Sequence, residues 1–506
     1  MVPEPREISA LPSSKSVRRL LMVPALSLLL AACSVGPDYT APDFLLPESW
    51  NADGKSAQVT PPQLANWWKT LSDPTLNALM DEAVANNLDV ATARARVREA
   101  RASYRQQVGS LFPAVDGSAS YTRGDNGSRT GTDGVVERSG VYSQYQAGLD
   151  ASWELDLFGA NRRAVEAERY GAQAAEDDLR ATLLTLVGDV ATNYVTARGY
   201  QARIVLAKRT AATQRETAEL TRTRMAAGAV SAVDAANAAG QAASTEATIP
   251  ELEAVYAQTV HRLAVLTGQQ PSALNRRMAR SRPIPVPRRG VRKGVPADVL
   301  RNRPDLRQAE RDLAQSTALI GQAEAERYPS VSLTGNVSTM GTRIGDLARG
   351  SSISWAWGPT LTVPVFEGGQ LKAQVEVREA QRDQSFLAYH AAVLTALEDV
   401  ENASVALTQE RRKAQKLTAS AQAYRKAAEL SHSLYRNGST SFLEVLDAER
   451  SLYSAEDTLL QSRVAITTHY VALNKALGGG WDGEMDVMTP AVIDVNTGPH
   501  LPFFRP

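Results

Sequence analysis

From Tyr145 the apolar positions fall on every second residue: Tyr145, Ala147, Leu149, Ala151, Trp153 and Leu155. Between them stand Gln144, Gln146, Gly148, Asp150, Ser152 and Glu154. A period of two predicts a β-strand with one apolar and one polar face. Residues 145–155 reach the length of about 9–11 residues at which a tilted strand crosses a bilayer. Residues 115–121, with Val115, Gly117, Ala119 and Tyr121 on one face, predict its hairpin partner, and the polar stretch 123–140 predicts the loop. Farther on, Val331, Leu333 and Val337 alternate with Ser332, Thr334, Asn336 and Ser338. Trp355, Trp357, Leu361, Val363 and Val365 predict the strand that returns. A soluble sandwich alternates in the same way. Four strands in two distant hairpins do not close a sheet, however, and an open edge in lipid leaves backbone groups unpaired. Several chains must then share one barrel, two giving 8 strands and three giving 12. A barrel of about 8 strands is filled by its own side chains, so for a conducting pore three chains is the smaller workable number.

A second pattern has the helical period. Residues 370–437 contain no glycine or proline, and 161–227 no proline. At about 1.5 Å per residue each run predicts a helix of about 100 Å. Leu183, Val187, Val190 and Tyr194 recur at the spacing of a coiled-coil seam, and Val393, Leu397, Val400 and Ser404 occupy the matching places. The alanine-rich remainder suits packing on both flanks, as in a cylinder of helices. A fibrous coiled coil is the plainer alternative, but it has no use for the hairpins. Glycine turns at Gly228 and Gly438 open returning helices from Ala229 and Ser439, and Pro250 predicts a kink in the first of these.

The strands and helices form one unit written twice. Asn86-Asn87-Leu88-Asp89 answers Asn302-Arg303-Pro304-Asp305, and Phe112-Pro113 answers Tyr328-Pro329, both 216 residues on. Leu184-Thr185, Asp189-Val190 and Gly228 answer Leu394-Thr395, Asp399-Val400 and Gly438, 210 residues on. A repeat of this size is domain-scale, far longer than a solenoid period. The division expected is a leader (1–32), an N-terminal segment (33–70), a first repeat (71–267), a linker (268–297), a second repeat (298–477) and a C-terminal segment (478–506).

The leader sets the compartment. Lys15, Arg18 and Arg19 precede an apolar run over 20–30, followed by Leu30-Ala31-Ala32-Cys33. This is a secretory signal ending in a lipobox, and it predicts a mature chain that begins at a lipid-bearing Cys33. Cys33 is the only cysteine, so no intramolecular disulfide is possible. Ser34 follows it, with no aspartate there to argue for retention at the inner membrane. After Cys33 no run of about 18 apolar residues exists, so no membrane-spanning helix is expected. Lys+Arg and Asp+Glu both number 55, which offers no basic excess for nucleic acid. Enzyme chemistry finds little support. His261, His390, His432, His469 and His500 contain no pair four apart for a metal site, and no phosphate-binding loop is present. No cofactor is expected beyond the lipid on Cys33.

Several short motifs occur together: Cys33-Ser34-Val35-Gly36-Pro37-Asp38-Tyr39, Trp153-Glu154-Leu155-Asp156-Leu157-Phe158-Gly159, Asn302-Arg303-Pro304-Asp305-Leu306, Pro364-Val365-Phe366-Glu367-Gly368-Gly369, Tyr435-Arg436-Asn437-Gly438 and Glu444-Val445-Leu446-Asp447-Ala448. With these the chain resembles, over nearly all of its mature length, the TolC-like outer-membrane factors of the OprM or NodT lipoprotein type. The resemblance implies a membrane β-barrel joined to an α-helical barrel. Each chain would give four strands and long antiparallel coiled-coil helices to a homotrimer with a 12-stranded barrel and a periplasmic tunnel. Residues 35–70, 267–296 and 478–506 would form a belt around the tunnel, and helices over 74–108 and 304–327 the shorter set on the membrane side. The family is not catalytic. Its members lie in the outer membrane and serve as exit ducts for an inner-membrane efflux pump of the RND type, joined by a periplasmic adaptor.

The resemblance also assigns sites. Turns carrying Arg224, Gly228 and Ser231, and Arg436, Gly438 and Ser441, would dock the adaptor. Asp234, Tyr435, Glu444 and Asp447 would form the periplasmic gate, with the acid at 234 able to bond Tyr435. Three copies of Glu444 and Asp447 would stack two carboxylate rings; the plainer reading of these acids is a solvated helix start. A basic residue that helps lock the mouth in the best-known member is replaced here by Thr440. Two other functions fit the same architecture: a channel for secreted polypeptides, against which the lipobox argues, and a lipid-anchored scaffold without a pore.

Overall fold

The computed structural model describes residues 34–47, 50, 64–125, 128–130, 136–138, 140–287, 291, 296–481, 483 and 485–490. Cys33, the leader and residues 491–506 of the C-terminal segment lie outside them. In chain order the helices are α1 (Pro74–Asn86), α2 (Leu88–Gly109), α3 (Ala160–Ala226), α4 (Ala232–Leu266), α5 (Asn275–Met278), α6 (Pro296–Asn302), α7 (Pro304–Ala325), α8 (Gln370–Arg436) and α9 (Phe442–Ala476). The strands are β1 (Ala114–Asp125), β2 (Ser128–Thr130), β3 (Val136–Arg138), β4 (Val141–Glu154), β5 (Ser330–Gly341) and β6 (Ile353–Thr362).

Corresponding elements have equal lengths: 22 residues in α2 and α7, 12 in β1 and β5, 67 in α3 and α8, and 35 in α4 and α9. The offset drops from 216 to 210 between the end of β1 or β5 and the start of the long helix, because the second hairpin is shorter. The chain packs into two compact units, and each repeat contributes to both. Of the described residues, one unit holds those within Met1–Ala41, Ala100–Ala172 and Arg311–Leu387, and the other those within Pro42–Glu99, Gln173–Glu310 and Ala388–Pro506.

In the first unit the four long strands form one antiparallel sheet in the order β1-β4-β5-β6. The two hairpins therefore join through β4 and β5, with Leu149 opposite Val337 and Trp153 opposite Leu333. β1 and β4 run beyond the alternating stretch, pairing as far as Asp125 with Val141, because the backbone ladder continues through polar residues. Within the loop β2 pairs with β3. β6 ends at Thr362, so Val363 and Val365 lie past the strand, where Pro364 has no N–H for a ladder. After β4 the chain turns through Asp156, whose φ is 43°. Its carboxylate accepts the N–H groups of Asn161 (3.0 Å) and Arg162 (2.9 Å) in the first turn of α3. Arg163 then holds the segment that follows Cys33, donating to Val35 O (3.2 Å), Gly36 O (3.1 Å) and Asp38 (2.8 Å).

In the second unit the helix expected over 74–108 is two helices. Asn87 leaves the helical conformation with ψ of 134°, and its side-chain oxygen accepts the N–H groups of Asp89 (2.9 Å) and Val90 (3.1 Å), which caps α2. Its amide donates to Leu266 O at 3.0 Å. The second copy breaks at Arg303, the residue before Pro304, where the α conformation is disfavoured. Burial works against the Arg303 cation, but hydrogen bonds and charge from Asp305 and Asp399 outweigh it and raise its pKa. Helix α6 lies within 296–302, at the edge of the expected linker.

Seam residues Leu183, Val187, Val190 and Tyr194 are buried, as are Val393, Val400 and Ser404; in the second copy Ala396 is the fully buried residue and Leu397 is half-buried. Helix α4 continues through Pro250 without ending. Trp67 and Trp68 are core residues, Trp68 stacking on Trp481 and Trp67 donating to Gly479 O at 3.0 Å. A polar network lies beside them. Arg198, 1% exposed, donates to the Tyr194 hydroxyl (3.0 Å), Gln201 (2.6 Å) and Arg280 O (3.0 Å), and Tyr194 donates to Asp73 at 2.6 Å. The buried cation thus reaches a carboxylate through a tyrosine, which compensates its desolvation.

Candidate functional site

Two regions hold the residues that the sequence singles out. The first is the sheet. Directly opposed residues share a face, so the pairing register gives rows that run across all four strands. One face carries Val115-Ala151-Gly335-Trp357, Gly117-Leu149-Val337-Trp355 and, toward one end, the pair Tyr121-Tyr145, whose ring centroids are 4.7 Å apart. The other carries Ser118-Gly148-Ser338-Ser354 and Asp116-Asp150-Asn336-Ala356. Asp116 and Asp150 stand directly opposite and exposed, an arrangement of like charges that suits a face open to water. From the Val331-Leu361 row to the Tyr145-Gly341 row the chain rises about 34 Å, or about 26 Å at a tilt of about 40°, close to the apolar band of about 25 Å on a membrane barrel. Trp355 and Trp357, 68% and 73% exposed, belong to this band. No helix among the described residues is long and apolar enough to cross a membrane.

The second region is the pair of tips. Both long helices end in the same turn. Gly228 and Gly438 have φ of 74° and 76°. Ala229 N–H donates to Arg224 O at 2.8 Å, and Ser439 N–H to Leu434 O at 2.9 Å. These six-to-one bonds close a helix on a glycine and aim the chain backward. The helices that follow start differently. Ser231 and Asp234 form a reciprocal capping box on α4, whereas Ser441 makes no side-chain cap and Glu444 accepts from the Thr440 hydroxyl. Glu444 and Asp447 are both exposed.

Tyr435, 2% exposed, packs with Ala238, Phe442, Val445 and Leu446. Its hydroxyl meets Thr221 at 3.0 Å, and Asp234 is engaged with Ser231, so the expected bond between Asp234 and Tyr435 is replaced by one to α3. The reason lies in register, which sets Thr221 against the tyrosine and leaves Asp234 at a helix start that uses it as a cap. Arg224 donates to Tyr435 O (2.6 Å) and Arg436 O (2.7 Å), with its guanidinium 4.6 Å from the Tyr435 ring centroid. A cation from the first hairpin thereby satisfies the carbonyl end of the helix in the second.

Sequence reading passed over four residues near these tips. Gln214, Thr217 and Thr221 lie on one face of α3, all buried, where the apolar seam turns polar. Glu449, 7% exposed on α9, accepts from Thr217 (3.2 Å) and contacts His432 Nε2 at 2.9 Å. The three-four spacing of Gln214, Thr217 and Thr221 was the available signal. Among the described residues no group of His, Cys, Asp and Glu could hold a metal ion.

The chain belongs to the outer membrane efflux protein family, whose pattern matches residues 79–269 and 295–479. It is similar to nodulation protein T of Rhizobium leguminosarum bv. trifolii, 35% identical over 91% of this chain and 97% of that one. It is also similar to the antibiotic efflux pump outer membrane protein ArpC of Pseudomonas putida, 32% identical over 92% and 96%. Among solved structures, the outer-membrane channel OprN superposes with a TM-score of 0.82 at 34% identity, covering 89% of this chain and 100% of that one. The protein is an outer-membrane channel of an efflux system and has no enzymatic role.

Proposed function

We propose that three copies of this chain close edge to edge into one 12-stranded barrel, continued by their helices into a periplasmic duct. The observation that carries this reading is the open sheet: β1 and β6 are its edges, each bonded along one side only among the described residues, while the apolar face runs unbroken across it. Such edges need partners in lipid. The duct serves small molecules delivered by an inner-membrane pump through a periplasmic adaptor. Relatives are named for efflux of antibiotics, toluene and cations, which supports a duct that takes its cargo from the pump.

A lipid on Cys33 would tether the chain to the membrane, and Arg163, gripping the carbonyls of Val35 and Gly36, supports a fixed path for the segment that follows it. The turns with Arg224, Gly228 and Ser231 and with Arg436, Gly438 and Ser441 are the adaptor surface; Glu444 and Asp447, both exposed, line the gate beside it, with Tyr435 buried behind them.

Electron microscopy of the detergent-extracted mature protein, paired with single-channel recording, tests the reading. A hollow trimer that conducts is the expected result; a monomer or a solid rod overturns it. Asp447→Ala is expected to raise conductance, and unchanged conductance removes Asp447 from the gate. Mass spectrometry of the N-terminal peptide tests the lipid.

A further inference from the structure

The chain as a whole is neutral, with 55 basic and 55 acidic residues, but the segment that joins the two repeats is not. Residues 254–297 contain nine Lys and Arg and no Asp or Glu. Nothing in the repeat demands this charge. The segment that follows the second copy, 478–506, carries Asp482, Glu484, Asp486 and Asp494 against Arg505 alone. A local excess of one sign in a balanced chain points to a partner of the other sign.

The structure holds the backbone of this segment and leaves its arginines at the surface. Leu274 and Met278, which flank Arg276 and Arg277 in and beside α5, are buried. Met278 O accepts from Gln201 Nε2 (2.6 Å) and from the Tyr256 hydroxyl (2.8 Å), and Arg280 O accepts from the buried Arg198 (3.0 Å). Farther on, Pro285 O accepts from the Thr467 hydroxyl at 2.7 Å. Between these fixed points the side chains of Arg276, Arg280 and Arg282 are exposed. A backbone ordered in advance lowers the entropic cost of binding through those side chains.

The acids that reach the segment do not cancel its charge. Glu82 accepts from Arg277 (2.6 Å) and Gln269 (3.2 Å). Asp73 caps α1 through the N–H groups of Thr75 and Leu76 and accepts from Tyr194, and Arg282 comes only within 4.0 Å of it. The guanidinium groups of Arg276 and Arg280 meet no hydrogen-bond or ion-pair partner among the described residues.

A guanidinium is a flat fork of N–H donors that matches a carboxylate two bonds at a time. Arg276, Arg280 and Arg282 follow one another along an exposed stretch of chain, so they suit a polymer that repeats its carboxylates better than one small anion. They belong to the compact unit that does not contain the sheet, which argues against lipid headgroups as the anion. In the periplasm the extended polymer with free carboxylates is the cell wall, on its stem peptides. We propose that Arg276, Arg280 and Arg282 form a docking surface for those carboxylates and so fix the channel in the wall. The compartment rests on the periplasmic duct proposed above; the binding chemistry does not.

The test is co-sedimentation of the detergent-extracted mature protein with isolated peptidoglycan sacculi, read as an apparent Kd. The wild type should bind, and more weakly as salt rises and screens the charges. Arg276→Gln combined with Arg280→Gln should raise the apparent Kd about three- to tenfold, the sum of two surface ion pairs. Lys416→Gln combined with Lys426→Gln, which removes the same charge from exposed positions on α8, should bind as the wild type does. Sacculi whose carboxylates have been converted to amides should not bind. Four results overturn the docking surface: no binding by the wild type, equal binding by the double arginine variant, undiminished binding to amidated sacculi, or capture by phosphatidylglycerol vesicles in place of sacculi. Dissociation of trimers in the double arginine variant also overturns it, by assigning the arginines to a contact between copies. Electron microscopy of the same preparation separates the two readings. Hollow trimers that ignore sacculi leave the duct standing and remove the docking surface, whereas monomers that bind sacculi through these arginines do the reverse.

Discussion

The guanidinium of Arg224 lies over the ring of Tyr435, 4.6 Å from its centroid, and donates to the carbonyl of the same residue at 2.6 Å. One side chain from the first hairpin thus engages a helix end, a buried aromatic ring and, through Arg436 O, the turn of the second. The tip of each chain is one packed object as a result.

Removing that grip should free the second tip. Arg224→Ala is expected to weaken the contact by about 1.5–3 kcal/mol, the range for hydrogen bonds to a charged group. If the tips gate the channel, the open fraction in planar bilayers should rise at least about tenfold. Tyr435→Phe, which removes only the bond to Thr221, should have a smaller effect in the same direction.

The two repeats share a close approach that tolerates no side chain. Gly268 and Gly478 end α4 and α9 with φ of 69° and 82°; a Cβ there would lie 2.3 Å from Asn86 O and 2.5 Å from Asn302 O. Gly268→Ala and Gly478→Ala should each destabilise by more than about 1 kcal/mol. Chemical denaturation of the extracted protein reads this, and wild-type midpoints would contradict it.

Asn87 separates α1 from α2. Asn87→Ala should cost about 1 kcal/mol for the cap, with a further loss because Leu266 O loses its donor. Asn87→Asp, which keeps the cap but not the amide, should recover part of the melting temperature.

The Tyr194 hydroxyl gives an alkaline signature. Burial, and then its bond to Asp73, push its pKa up to about 12. The native state therefore holds this proton more tightly than the unfolded chain does. The stability it adds is complete below about pH 10 and declines as pH rises from about 10 through about 12. Tyr194→Phe should flatten that part of the profile of melting temperature against pH. An equally steep alkaline decline in Tyr194→Phe would assign the effect to other groups.

Much of the fold was legible because it is written in local periods. Tyr145 to Leu155 alternate because one face meets lipid and the other water, and the absence of proline from α3 and of glycine and proline from α8 lets each helix run unbroken. The break at Asn87 was legible in principle, since Asn-Leu-Asp is a capping signal, but the surrounding helical pattern obscured it. The end of β6 at Thr362 was obscured by Val363 and Val365, which keep the alternation after Pro364 has ended the pairing.

By itself the sequence determined the duplicated unit, the amphipathic strands, the long helices and the glycine turns, each of which depends on residues a few positions apart. Tertiary structure alone decided who meets whom: β4 beside β5, Thr221 in place of Asp234 on Tyr435, Arg224 on the end of α8, and His432 on Glu449. Those contacts depend on the register between elements more than a hundred residues apart, or between facing helices, and a shift of one helical position would exchange the partners without changing any local pattern.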